Sequence, residues 1–371
     1  MITAVEICGF KRFEEESFGL APLTVLTGMN GSGKTSFLQA LLLAKEVGIA
    51  GPSTLSLNGP FHLELGTAED VLNHESSSPI RIRLRGSDGE DAEWILGAPS
   101  EEALYLDIAF RPRLAPKAIS GEPRMLTYLS AERLGPRGVT AASPVPDSQL
   151  EVGVRGQFCA HVLAVLGDRV LAHPDRRHPL YGGSEVRLLK YEVEQWLSEM
   201  TRPIEVQGIR LGNTAVAELS YRAPGKDWVK STNMGFGLTY SLPIIISGLI
   251  AGIGGLVVVE NPEAHLHPAG QSRMGVFLAW LASRGVQVII ETHSDHVING
   301  IRRAIAEHHY LDASQAVIHW FGAEGSSDDA WHKSLAISGT GSVSDWPAGF
   351  FDQYQIDVAS LGRIRRERRH L

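Results

Sequence analysis

The chain has 371 residues, of which 43% are hydrophobic and 20% charged, as in a globular protein with a substantial core. Its net charge of −8 excludes a protein that coats nucleic acid with its whole surface, but it leaves local basic patches open. The two cysteines, Cys8 and Cys159, lie far apart and outside any CxxC pattern, which indicates a reducing compartment and excludes a disulfide framework or a zinc-binding cysteine motif.

The apolar segments do not read as membrane anchors. Lys11 and three glutamates interrupt the N-terminal segment MITAVEICGFKRFEEE, so it lacks the apolar centre of a signal peptide. The longest apolar run, LPIIISGLIAGIGGLVVV, contains five glycines or prolines and divides into two parts. We interpret it as a buried helix followed by a buried strand, and we expect a cytoplasmic protein without membrane contact.

Strand and helix patterns alternate along the chain. ITAVEICGF and LTVLT predict strands, and TSFLQALLLAKEVG predicts a helix. The middle of the chain is mixed, with strand-like IRIRLRG and ALYLDIAF before a loop-rich zone and helical GQFCAHVLAVLG and EVRLLKYEVEQWLSEM. The last third predicts helices at 238–250, 269–284 and 294–309 and strands at 256–260, 286–291 and 315–321. Continuous apolar strands alternating with helices indicate a parallel sheet covered by helices on both faces.

The segment GMNGSGKT at 28–35 has the spacing G-x-x-x-x-G-K-[ST] of a phosphate-binding loop. Glycines let the backbone N–H groups turn toward a phosphate, and the following helix adds its partial positive charge. Lys34 is then expected to reach the β- and γ-phosphates, and the Thr35 hydroxyl to bind magnesium. A glycine-rich turn that contains a lysine by chance is the alternative, but the preceding strand and following helix favour ATP binding by Gly28, Asn30, Gly31, Ser32, Gly33, Lys34, Thr35 and Ser36.

A second motif, VVVENPEAHLHP, begins at residue 257 and places acids at the end of a strand. Glu260 is predicted to hold magnesium together with Thr35. Asn261 stands where a hydrolytic glutamate is usual; its amide can orient water but cannot accept a proton at neutral pH. Glu263 is the nearest other carboxylate and is either the base or a cap of the next helix.

Two more segments suggest a nucleotide site. In NMGFGLTYSLP, Gly235 and Gly237 precede a long apolar helix, which predicts a second anion-binding helix start. VIIETHSDHV places Thr292, His293 and Ser294 at the end of a strand, where we expect His293 to be functional.

These motifs resemble the ABC-type ATPase heads of the SMC, RecF and overcoming-lysogenization-defect (OLD) group. The resemblance is strongest to bacterial ATPases of phage-defence and mobile-element loci that have a short C-terminal domain of unknown function. It includes GFKRF, LTGMNGSGKTS, YLSAERLGPR, NMGFGLTYSLP, ENPEAHLHP, ETHSDHVINGIR and WPAGFFDQ, so it covers most of the chain.

The resemblance implies an α/β P-loop NTPase with a mixed sheet flanked by helices, an inserted α+β region and a small C-terminal module. We predict that residues 1–54 form the N-terminal part of the head and residues 55–230 a β-rich lobe with a helical insertion. Residues 231–322 are predicted to complete the head, and residues 323–371 to form the C-terminal module.

The resemblance also implies a head-to-tail homodimer, or a higher homo-oligomer, closed over two ATP molecules with Mg²⁺. Each site would combine the P-loop of one subunit with the Gly235–Gly237 segment of the other. His293 would act as the switch histidine at the γ-phosphate, and Lys11 and Arg12 would approach the nucleotide.

The chain departs from the family pattern at several positions. Gly235 replaces the signature serine, and no clear glutamine reports on magnesium, with Asn58 or Glu64 as weak substitutes. His265 and His267 contact the nucleotide, contact the other subunit, or only pack a turn. Arg133 and Arg137 belong to a surface loop or contact phosphate or a partner.

We therefore expect a slow ATPase that acts as a dimer switch in anti-phage defence or DNA repair and controls a separate effector, such as a nuclease or toxin. Only about fifty residues follow QAVIHWF, too few for the nuclease domain of the OLD relatives. A non-hydrolysing ATP-dependent scaffold is the alternative. The terminal RIRRERRHL leaves DNA contact open, and WPAGFFDQ is interpreted as core packing before a docking surface.

Overall fold

The computed structural model describes residues 1–76, 78–119, 121–180, 187–322, 331–345, 347, 356–361 and 363. The strands are β1 (Ile2–Phe10), β2 (Phe13–Gly19), β3 (Leu23–Gly28), β4 (Thr54–Ser56), β5 (Ile80–Gly86), β6 (Asp91–Gly97), β7 (Tyr105–Phe110), β8 (Leu126–Leu129), β9 (Thr140–Ala141), β10 (Glu205–Arg210), β11 (Val216–Arg222), β12 (Val229–Lys230), β13 (Leu256–Glu260), β14 (Gln287–Glu291), β15 (Ala316–Phe321) and β16 (His332–Ala336). The helices are α1 (Lys34–Val47), α2 (Ala68–Val71), α3 (Cys159–Leu166), α4 (Leu189–Met200), α5 (Phe236–Ile250), α6 (Pro268–Ala282) and α7 (Asp295–Ala306).

The central sheet has the strand order β16-β15-β3-β14-β13-β8. All neighbouring pairs are parallel except β15 and β16, which are antiparallel. The apolar strands β3, β13 and β14 are almost entirely buried, as their continuous apolar sequences predict. Because these strands are parallel, their carboxyl ends meet at one edge, and the three predicted site motifs follow directly from them.

The two faces of the central sheet are covered differently. On one face, side chains such as Val257 and Val259 of β13 share a buried core with helices α3 to α7. The other packs against α1 and the six-stranded antiparallel sheet β2-β1-β5-β6-β7-β4. Helices therefore lie on both faces of the central sheet, as predicted, and on the second face the antiparallel sheet packs together with α1. The alternating burial along β1 allows that antiparallel sheet to pack α1 with one face while its other face carries charged residues.

The sheets do not follow the predicted domain ranges, which remain predictions. Strands β1 and β5 pair across the boundary at residue 54, and β8 pairs with β13 although it belongs to the 55–230 range. A third, small sheet is formed by β9 to β12. The segments WPAGFFDQ and RIRRERRHL lie outside the described residues, except for Pro347 and Arg363.

Among the helices of the described residues, none is long and apolar enough to cross a membrane.

Candidate nucleotide site

The loop between β3 and α1 has the backbone that a phosphate-binding loop requires. Gly28, Gly31 and Gly33 have φ angles of 123°, 71° and 105°, in the region that glycine adopts without strain. Gly28 is constrained a second time, because a Cβ there would lie 2.1 Å from the carbonyl oxygen of Phe321 on β15. The glycines at these positions are therefore required by the loop itself.

The start of α1 opens onto this loop. Gly33 is its N-cap residue and has no side chain to accept a hydrogen bond, so the first N–H groups and the helix dipole are available to an anion. The Lys34 ammonium donates to the carbonyl oxygens of Gly28, at 3.2 Å, and Met29, at 2.6 Å, and so lies across the loop. Burial lowers the pKa of Lys34, and the charge of Glu291 partly opposes this.

The other predicted loop residues line the same turn. Asn30 and Gly31 are exposed, and Ser36 is half-buried. The Ser32 hydroxyl is buried and donates to the Met29 carbonyl oxygen at 2.6 Å, which fixes the turn. The geometry therefore leaves the Thr35 hydroxyl as the exposed oxygen at the helix start.

Glu291, the last residue of β14, lies opposite Thr35. Both of its carboxylate oxygens are 3.3 Å from Thr35 Oγ1. Its side chain is almost fully buried. The pKa of Glu291 is raised to about 7, mainly by this burial and then by the neighbouring charge of Glu260, while Lys34 and the Thr35 hydroxyl act against the rise. Glu291 is not among the residues predicted from the sequence.

Glu260 ends β13, which lies between β14 and β8, and its side chain is directed toward β8. Its carboxylate accepts hydrogen bonds from the Tyr128 hydroxyl, at 2.8 Å, and the Ala131 N–H, at 3.0 Å. Arg133, which is 2% exposed, donates to the carbonyl oxygens of Glu260 and Asn261, each at 2.6 Å. Burial lowers the pKa of Arg133 to about 10. The segment around Arg133 is a loop, as one of the two interpretations held, but the Arg133 side chain itself is buried and holds the end of β13.

Asn261 has a backbone constraint of its own. Its φ is 44°, a left-handed conformation that asparagine tolerates better than most residues. Its N–H donates to the carbonyl oxygen of Glu291 at 2.8 Å, so it continues the pairing of β13 with β14. The conformation is one reason for asparagine at this position, and water orientation by its amide stays a prediction.

Glu263 ties its loop to the end of β14. One oxygen accepts the Thr292 hydroxyl at 2.7 Å, and the other accepts the backbone N–H of His293 at 3.0 Å. The His293 side chain is exposed to solvent. Partial desolvation, and then the positive charge of Lys34, lower the pKa of His293, while Glu263 raises it. Glu263 therefore positions the histidine segment, and its role as a base stays a prediction.

Lys11 and Arg12 lie on two sides of the loop and helix. Lys11 Nζ donates to the Gln39 side chain of α1 at 2.8 Å. Arg12 packs against the loop, because a Cβ on Gly33 would lie 2.5 Å from its Cδ. Its guanidinium also lies over the Trp331 ring, 4.6 Å from the centroid. Arg12 is thus at the loop, whereas Lys11 contacts the helix behind it.

The predicted second anion site is the exposed start of α5. Gly235 is the N-cap residue of this helix and is exposed. The ring of His265 packs on Phe236 and Tyr240, with centroids 5.0 Å and 4.6 Å away. The ENPEAHLHP segment therefore connects the start of α5 to the strand ends at the loop.

Two further residues in this region have structural contacts. A Cβ on Gly237 would lie 2.9 Å from the His265 carbonyl oxygen, which requires a small residue. His267 caps α6, where its Nδ1 accepts the Ala269 N–H at 3.3 Å. These contacts favour the packing interpretation of His265 and His267, although both side chains are exposed.

The donors at this edge of the sheet fit a magnesium nucleotide. The loop N–H groups, the helix start and Lys34 provide positive charge for phosphates. The hydroxyl of Thr35 and the strand-end carboxylates are oxygen ligands of the type that magnesium prefers.

Comparison with known proteins identifies the family of the chain. Residues 23–299 match the family described as "AAA domain, putative AbiEii toxin, Type IV TA system". The chain belongs to this AAA-domain family. Residues 311–361 match a family of unknown function, which corresponds to the short C-terminal domain implied by the resemblance.

One curated relative of this AAA-domain protein is the "OLD nuclease" of Thermus scotoductus. The two are 25% identical in an alignment of 342 positions, gaps included, that covers 79% of this chain and 59% of the relative. The chain thus spans about three fifths of that relative's length. The predicted resemblance to ATPase heads of the SMC and OLD group is confirmed.

One solved structure shows the same fold, and a second gives a weaker likeness. The Smc head domain derived from Pyrococcus furiosus, bound to the C-terminal domain of ScpA, superimposes with a TM-score of 0.52 at 11% identity, covering 98% of this chain and 99% of that one. The SMC head domain from Thermotoga maritima gives 0.44 at 13% identity, covering 91% and 99%. The first superposition supports the fold, and the predicted P-loop ATPase head architecture is confirmed.

Two residues of the AAA-domain site, Glu291 and Tyr128, were missed by sequence reasoning, and the contact of Arg133 with the end of β13 was not predicted. Glu291, Tyr128 and Arg133 determine the geometry at the strand ends, as described above. A signal for Glu291 is present, because LVVVE and QVIIE are matching apolar strands that both end in glutamate. Tyr128 and Arg133 carry no comparable signal, since their partners are about 130 residues away in sequence.

Proposed function

We propose that this protein binds ATP with Mg²⁺ and hydrolyses it slowly, as an ABC-type ATPase whose nucleotide-bound homodimer is a switch. The observation that carries the proposal is the glycine loop of 28–35. It presents an uncapped helix start, Lys34 and Thr35 to the Glu291 carboxylate at the end of the neighbouring parallel strand β14.

The residues divide into four proposed roles. The P-loop would hold the phosphates, and the Thr35 hydroxyl with a strand-end carboxylate would hold magnesium. Asn261 would orient the attacking water, and His293, whose backbone N–H donates to Glu263, would contact the γ-phosphate. With an amide in place of a base, turnover is expected to be slow.

The dimer is proposed to complete each site in trans. The start of α5 at Gly235 is exposed, and no side chain of the described residues caps this helix end. Its N–H groups are thus offered to a γ-phosphate held by the partner subunit. This arrangement makes hydrolysis depend on dimerisation.

The biological role is proposed to be anti-phage defence or DNA repair, through control of a separate effector such as a nuclease or toxin. The support is the similarity to a protein named OLD nuclease, of which this chain spans 59%. DNA contact is a further part of the proposal, and it predicts steep salt dependence of any binding.

Phosphate release from the full chain, with and without DNA and the effector, tests the hydrolysis. Wild type should release phosphate faster than Lys34→Ala. Asn261→Glu should release phosphate faster than wild type, and Glu263→Gln should release it more slowly than wild type. Release equal to that of Lys34→Ala under every condition would refute hydrolysis and favour the alternative, an ATP-dependent scaffold.

A mixing experiment tests the composite site. Lys34→Ala and Gly235→Glu should each be inactive, because one lacks the P-loop lysine and the other blocks the start of α5. In a mixture, each heterodimer has one intact site if the two elements come from different subunits. About a quarter of wild-type activity should then return, as expected for a two-fold dimer with random exchange. If the mixture stays inactive although subunits exchange, the site is not composite.

A further inference from the structure

The candidate site lies at the ends of four adjacent strands. The strands are ordered β3, β14, β13 and β8, and Glu291 and Glu260 are register partners at the ends of β14 and β13. Neighbouring strands are about 4.8 Å apart. The backbone of Glu291 is thus one strand from β3, which leads into the P-loop, while that of Glu260 is two strands away.

The two carboxylates have different partners. Glu291 faces the P-loop, with both oxygens 3.3 Å from Thr35 Oγ1. Glu260 faces the opposite way, with its oxygens engaged by the Tyr128 hydroxyl and the Ala131 N–H. Arg133 also fixes the backbone of Glu260 from the β8 side. Turning Glu260 toward Thr35 would leave two buried or half-buried donors without their acceptor, which is costly.

The distance between Thr35 and Glu291 suits a shared cation. Hydrogen bonds between a hydroxyl and a carboxylate are usually 2.5–3.0 Å long, so the two 3.3 Å contacts are loose. Magnesium binds oxygen at about 2.1 Å in octahedral geometry, which places adjacent ligands about 3 Å apart. The two side chains are therefore close to the spacing of neighbouring magnesium ligands before any ion is bound.

The charges around this pair are also unbalanced in favour of a cation. The negative charges of Glu260 and Glu263 both act unfavourably on ionised Glu291, and the positive charge of Lys34 acts favourably on it. Arg133 is the cation beside Glu260 and Glu263. A divalent cation bound by Thr35 and Glu291 would offset this repulsion at Glu291, the most buried of the three carboxylates.

We propose that Glu291, rather than Glu260, is the carboxylate that binds the magnesium ion of the nucleotide together with Thr35. Glu260 is then a positioning residue that holds the end of β13 to β8. The inference rests on the proposed binding of magnesium ATP and specifies its metal ligand.

Metal-dependent nucleotide affinity tests this assignment without relying on turnover. The affinity of the full chain for a non-hydrolysable β,γ-imido analogue of ATP is measured with EDTA and then with Mg²⁺. Binding of Mn²⁺ in the presence of the analogue is followed by electron paramagnetic resonance. The variants are Glu291→Gln and Glu260→Gln, with Glu102→Gln as an exposed control.

In EDTA, Glu291→Gln should bind the analogue with the same affinity as wild type. The increase in affinity on adding Mg²⁺ should be at least about tenfold smaller in Glu291→Gln than in wild type, a typical cost at metal sites. Glu260→Gln and Glu102→Gln should keep that gain within about twofold. The reverse pattern, equal losses in both site variants, or a full gain in Glu291→Gln would each overturn the assignment.

Two controls keep the result interpretable. If Glu291→Gln folds poorly, Glu291→Asp keeps the charge but withdraws it by about 1.5 Å, and an intermediate loss is expected; an unchanged gain overturns the assignment. If wild type binds the analogue no better than Lys34→Ala, nucleotide binding itself fails, which is a separate outcome from loss of the metal effect.

Discussion

Glu291→Gln should make the metal-free protein more stable, and increasingly so as the pH rises. The pKa of Glu291 is about 7 in the fold, mainly because of burial, against an ordinary value of 4.5. Between these values the folded state binds more protons than the unfolded state, so stability falls as the pH rises through this window and levels off above about 7. Each pKa unit corresponds to about 1.4 kcal/mol, so ionised Glu291 costs about 3 kcal/mol at pH 8.

Glutamine keeps the shape of the side chain and removes this cost. The stability difference between Glu291→Gln and wild type should grow by about 2 kcal/mol between pH 5.5 and pH 8, in favour of the variant. Urea unfolding in EDTA at a series of pH values measures it, with Glu102→Gln as a control that should show no such trend. The loss of a contact with Thr35 adds an offset that does not depend on pH. A difference that is constant with pH, or that favours wild type more strongly at pH 8, would refute the reasoning.

Three further predictions concern the surroundings of this site. Tyr128→Phe removes a hydroxyl donor from the Glu260 carboxylate and should cost about 1–3 kcal/mol in urea unfolding, and an unchanged midpoint would count against the contact. Gly300→Ala places a Cβ 2.0 Å from the Ser272 carbonyl oxygen between α7 and α6, so its melting temperature should fall well below that of Gly19→Ala, where the Cβ meets open space. Equal melting temperatures would contradict the close helix contact. Removing magnesium with EDTA should weaken binding of the ATP analogue without abolishing it, because the loop and lysine remain; complete loss in a titration would show that the metal is indispensable.

The helices and buried strands of the last third could be predicted from the sequence because their signals are local. The strand predicted at 256–260 is β13, and the helix predicted at 269–284 corresponds to α6, Pro268–Ala282. The strand β2 was not predicted, since FEEESFG has too few apolar residues to show a clear alternation. Its pairing with β1, which buries Phe13 and Phe18, depends on the tertiary fold.

The candidate site, like the fold, could be predicted from the sequence only in its local parts. The glycine loop was predictable because the positive φ angles and the helix start impose a fixed local spacing. The direction of each strand-end carboxylate was not predictable, because that direction depends on which strand lies beside the strand that carries the carboxylate. Glu260 is held by Tyr128 from β8, and Glu291 meets Thr35 because β14 lies next to β3.

The most direct test of slow, dimer-dependent hydrolysis is the steady-state rate of phosphate release per subunit, measured across a wide range of protein concentrations. The rate per subunit should rise with concentration and reach a plateau when the dimer is fully formed, and Lys34→Ala should stay at background throughout. A rate per subunit that is independent of concentration while the protein is monomeric, or one equal to Lys34→Ala at every concentration, would contradict the account.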